Sequence, residues 1–173
     1  MMNWIFFPKT DSVPNDLLDV VNVFEKVSSK IDSTKNDVNE KRLWSDDVLR
    51  IIEPGLLKKG FQVEKSKKKV DKVRIPVLFG GQGVEELAFE ADAYNKDTKV
   101  VIEVEGGRAV TNYQFLKDIF QASMMVKTDY LVLGVRRLYK GRNDFEVVSK
   151  FLDTIYLTQK IKLDLKGILL IGY

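Results

Sequence analysis

The chain has neither cysteine nor histidine among its 173 residues. Without cysteine there are no disulfides and no thiolate-bound zinc, a composition that suits the cytoplasm. Without histidine, catalysis must do without the commonest general base, and a metal site must be built from oxygen ligands. Oxygen ligands favour magnesium, with manganese as the nearest substitute, over zinc. Long apolar runs are also missing. No stretch reaches the roughly 18 apolar residues a membrane span needs, so no membrane partner is expected. The opening MMNWIFFPKT is apolar for only a few residues before Pro8 and has no basic leader, which argues against a secretory signal. GGQG, at Gly80 to Gly83, lacks the strand, lysine and helix context of a phosphate-binding loop. It reads as a turn, and no small organic cofactor is expected.

What is present suits one globular domain: 45% apolar and 31% charged residues. Net charge is only +3, but it is segregated. Lys58 to Arg74 holds eight basic residues against two acids, and Glu85 to Glu105 holds seven acids against two bases. Such a pairing is either a solvated lysine loop beside a polar strand, or the apparatus of a metal-dependent enzyme with an anionic polymer substrate.

Leu17, Val20, Val21, Phe24, Val27 and Ile31 recur at helical spacing and predict an amphipathic helix over 15–32. The polar DSTKNDVNEKR follows, so residues 1–42 read as an N-terminal helical appendage to a domain over 43–173. Ser45 is placed as the cap of a second helix, which Pro54 and Gly55 should bend or break and Gly60 should end. Strands are expected at 61–64 and 73–79, the latter an edge or bulged strand because of Pro76. A helix over 109–125 should turn Tyr113, Leu116, Ile119, Phe120 and Ser123 inward. YLVLGV and GILLIGY read as strands covered on both faces, separated by a helix that Asn143 caps. The order implies an α/β fold, a mixed sheet with helices on both faces and a right-handed crossover.

FEADAYNKDTKVVIEVEGG, from Phe89 to Gly107, reads as a hairpin. Residues two apart share a face of a strand, so Glu90 and Asp92 emerge together, as do Glu103 and Glu105. Apolar patterning and a tight turn predict that Asp92 pairs with Val101 and Glu90 with Glu103. Like charges opposed on a sheet cost a few tenths to about 1 kcal/mol per pair. A divalent cation between them would remove that cost; a plain acidic surface is the other account.

Asp92, ten residues, then Glu103-Val104-Glu105 resembles the active-site motif of the PD-(D/E)xK nuclease superfamily. The resemblance implies a restriction-endonuclease-like core over roughly Ser45 to Val135 and a magnesium-dependent DNA endonuclease of restriction or repair type. Asp92 would be the first acid, Glu103 the second, and Glu105 would stand where most members have lysine. Some type II restriction endonucleases look similar at that position, with glutamate or glutamine. The departure leaves a second reading open, a nuclease fold that binds DNA or protein without cutting. By the same resemblance Asp92 and Glu103 would ligate Mg2+ (or Mn2+), and Glu53 would be an added acid from the first core helix unless it simply faces solvent. Lys117 would substitute for the absent lysine or contact DNA. Arg108 and Gln114 are further candidates for DNA contact, and Lys67, Lys68 and Lys69 for sequence-independent phosphate attraction. Cutting both strands of a duplex would be simplest for a homodimer.

Overall fold

Strands covered on both faces need two sets of helices, and the order of elements supplies them. A computed structural model describes residues 2–35, 42–66 and 68–173. Within them, β1 (Asn3–Phe7), β2 (Gln62–Val63), β5 (Ala93–Asn95), β6 (Val100–Glu105), β7 (Tyr130–Val135) and β8 (Gly167–Gly172) form one mixed sheet. Its strand order is β1-β8-β7-β6-β5-β2. The apolar runs of β7 and β8 lie parallel to each other and to β6, while β1 and β5 are antiparallel to their neighbours. β3 (Val73–Phe79) and β4 (Glu85–Ala91) make a separate two-stranded sheet, with a bulge just after Pro76 where the missing N–H interrupts the ladder.

Among the described residues, five α-helices cover the large sheet. α1 (Asn15–Lys26), α2 (Ser28–Ile31) and α3 (Ser45–Lys58) lie on the face of Ile102 and Val104; α4 (Gln114–Met124) and α5 (Asp144–Thr158) lie on the face of Val101 and Leu133. No helix among the described residues is long and apolar enough to cross a membrane.

Three expectations change. The N-terminal residues are not an appendage: β1 is paired along β8, and Leu17, Val20 and Phe24 of α1 are fully buried with Ile52 and Val104. α3 is capped at Trp44, whose N–H donates to Asp47 Oδ2, rather than at Ser45, and it runs unbroken through Pro54 and Gly55. Pro54 sits on the exposed face, where water can serve the carbonyl that loses its helical partner, and a Cβ on Gly55 would come 2.6 Å from a methyl of Val23. Gly55 is therefore the contact at which α1 and α3 cross. Finally, α4 begins at Gln114 rather than near Ala109, because Asn112 and Tyr113 have left-handed φ of 57° and 53°. Its buried stripe is Phe115, Asp118, Ile119 and Ala122, about one residue out of phase with the apolar stripe expected. Tyr113 is 62% exposed and Phe120 44% exposed.

Candidate active site

The acidic hairpin exists, but its register is shifted by two residues. Ala93 pairs with Ile102, Tyr94 with Val101 and Asn95 with Val100, and continuing that ladder sets Asp92 level with Glu103. The loop is the reason. Asn95 Oδ1 accepts the N–H groups of Asp97 (2.9 Å) and Thr98 (3.1 Å), and Lys99 takes a left-handed φ of 56°, which makes four residues span the turn rather than two. A shift of two preserves facing, so Asp92, Glu103 and Glu105 still share the α4 side. Glu90 does not join them. The chain bends at Asp92, and Glu90 belongs to the small sheet, opposite Arg74 and 3.6 Å from Lys72.

Asp92 Oδ2 accepts the N–H of Val104 at 2.7 Å, which ties the first acid to the strand carrying the other two. A fourth acid completes the group. Asp118 of α4 is 3% exposed and forms a side-chain hydrogen bond with Glu105, while its Oδ2 has no hydrogen-bond partner. Burial, then the charges of Asp92, Asp118 and Glu105, push the Glu103 carboxyl well above its ordinary range. Burial, then the charge and hydrogen bond of Asp118, push Glu105 up to about 8. Burial also raises Asp118, although the hydrogen bond from Glu105 offsets part of this. The positive charge of Lys117 pulls all three the other way from the neighbouring position on α4.

The donor chemistry suits a hard divalent cation: oxygen atoms only, one of them buried and unpartnered. Among the described residues, however, no three acidic side chains stand as a ready-made metal cage. Glu105 and Asp118 are turned toward each other, and Asp92 toward backbone.

The other expected residues are scattered. Glu53 lies on α3, whose buried residues pack with Ile102 and Val104, so that helix covers the sheet face opposite Glu103 and Glu105. The structure does not bring Glu53 to the acids; Asp118, from the crossover helix, is the one that arrives. Lys68 and Lys69 are exposed between β2 and β3, and Lys67 lies outside the described residues. Part of the basic run is already paired: Lys72 with Glu64 at 2.7 Å and Arg74 with Glu85 at 3.1 Å. Gln114 is half-buried in the first turn of α4.

Two glycines follow the acids for steric reasons. A Cβ on Gly106 would sit 2.2 Å from the backbone nitrogen of Ser45, and one on Gly107 (φ 122°) would sit 2.3 Å from the Tyr139 ring. Past them, Glu105, Gly106 and Arg108 face Trp44, Ser45 and Asp46 across a cleft of about 310 Å³. Cations collect beside it. The head groups of Arg42, Lys140 and Arg136 lie 5.1, 5.6 and 6.0 Å from the Tyr139 ring. The sequence hides this cluster, because its members come from segments about a hundred residues apart. Compared with protein-family models, curated proteins and solved structures, the chain matches none.

Proposed function

We propose that the chain is a divalent-cation-dependent DNA endonuclease with a restriction-endonuclease-like fold. Asp92, Glu103 and Glu105, joined by Asp118, would be its acidic centre. One observation carries this reading: the carboxyl groups of Asp92 at a bend, Glu103 and Glu105 on β6 and Asp118 on the crossover helix converge, and burial disfavours the charge of the last three. Such an arrangement is costly unless a cation or shared protons relieve it. When bound, Mg2+ or Mn2+ would supply an acidified water and neutralise charge on the phosphodiester. The chain's own groups would do the rest. Asp92, fixed by the Val104 N–H, and Glu103 would present oxygen ligands; Glu105, in its deprotonated form, would accept a proton from the attacking water. Lys117 would place positive charge beside them, the task a strand lysine performs in most of the superfamily.

The test is plasmid nicking by purified protein with and without Mg2+. Cleavage should require the cation and fall at least a hundredfold in Asp92→Asn or Glu103→Gln, in the range by which metal-assisted and acid–base terms accelerate hydrolysis, about 10²–10⁴. Wild type that cuts no DNA under any divalent cation would remove the enzyme claim.

The Glu105–Asp118 hydrogen bond favours a second reading, because a shared proton relieves the charge with no metal at all. On that reading the chain is a non-cutting nuclease-fold module, and DNA binding persists unchanged in EDTA and in Asp92→Asn.

A further inference from the structure

The cleft beside Glu105 has features that an acidic metal centre does not need. Trp44 is 55% exposed, unusual for the largest apolar side chain, and it lines the same cleft as Arg108. The walls are held in place from behind. Arg136, itself 1% exposed, donates from Nη1 to the Leu43 carbonyl at 3.0 Å, just before Trp44. The Tyr173 hydroxyl donates to the Glu105 carbonyl at 2.8 Å, and Gly106 lets its strand close on the Ser45 backbone. A cleft whose walls are fixed before a ligand arrives spares the protein's share of the ordering cost of binding.

From this geometry we infer that the cleft is a subsite for one unpaired nucleotide of a single-stranded DNA substrate, next to the scissile phosphate. The inference rests on the nuclease reading for the location of that phosphate. The volume of about 310 Å³ accommodates a nucleotide, not a base pair. Trp44 offers an accessible π-face for the base, and Arg108 a planar donor for the phosphate. Tyr139, with the cations gathered around its ring, packs against Gly107, between two residues that line the cleft. An aromatic platform in a basic-edged groove is how single strands are held without sequence readout. A duplex keeps its bases stacked inside and offers Trp44 nothing.

The chain has two tryptophans, so Trp4→Phe leaves Trp44 as the sole reporter. In that background, with Ca2+ in place of Mg2+ to avoid cleavage, an eight-nucleotide oligothymidylate and a blunt duplex of the same length are titrated while Trp44 emission is followed. The single strand should quench the emission and bind at least tenfold more tightly than the duplex. Measured by anisotropy of a labelled strand, Trp44→Ala should weaken single-strand binding at least fivefold, Trp44→Phe should largely restore it, and Arg108→Ala should reduce the salt dependence by about one phosphate contact. Thermal melts confirm that each variant is folded. Equal affinity for the duplex, no quenching, or unchanged binding in Trp44→Ala overturns the subsite. The nuclease reading fails separately, if neither plasmid nor single-stranded DNA is cleaved with any divalent cation, and either result can occur without the other.

Discussion

Glu105 and Asp118 are coupled by one hydrogen bond in a protein-enclosed setting, and that couples the stability of the metal-free chain to pH. Glu105 moves from an ordinary 4.5 when unfolded to about 8 when folded, and Glu103 moves in the same direction. Between those values the folded chain binds protons that the unfolded chain has released, so stability falls as pH rises. The contribution is fully present below about pH 4.5 and is lost as pH passes through about 8. In EDTA, the melting temperature should therefore fall between pH 5 and 9, and Glu105→Gln should flatten the dependence. A rise over that range would mean the carboxyls are not crowded as described. Asp118 itself is not legible in the apolar periodicity of the sequence. Choosing the most apolar stripe excludes any stripe that contains an acid, whereas the buried positions 115, 118, 119 and 122 have ideal helical spacing with an aspartate among them.

At the scale of elements, the hairpin shows what parity protects. A turn two residues longer than expected moved every partner of β5, yet the acids stayed on one face because side chains alternate with period two. The same strand end shows what sequence hides: Gly106 and Gly107 suggest close approach, but not to what. The partners are the start of α3 and the Tyr139 ring. Gly106→Ala should cost about 2 kcal/mol or more, since the obstacle is backbone that cannot rotate away, and should open the cleft beside Glu105. Gly81→Ala, where a Cβ meets nothing within 4 Å, is the matched control and should change stability by less than about 0.5 kcal/mol. Urea unfolding of both variants measures the difference.

For the whole molecule, β1 and α1 decide whether residues 1–42 can be spared. β1 covers the outer edge of β8, and Phe6, Leu17, Val20 and Phe24 enter the core on the α3 side. A chain beginning at Leu43 should therefore lose its cooperative melt and bind an apolar dye, because β8 becomes an open edge and one face of the sheet loses its cover. Cooperative unfolding of that truncation with unchanged near-UV dichroism would show the segment to be dispensable. The short NWIFF run, five residues before a proline, carries little periodicity, and only pairing with β8 defines it as a strand.

By itself the sequence determined the α/β class, the two buried parallel strands, the cap at Asn143 and the shared facing of Asp92, Glu103 and Glu105. Each of these follows from local periodicity or from the chemistry of one residue. Tertiary structure alone decided the rest: which acid joins the group, Asp118 and not Glu53, and that Trp44, Arg108 and Tyr139 gather at the end of β6. Those relations depend on the angle at which a helix meets a sheet and on which residues leave room for backbone contact, and no spacing along the chain encodes either.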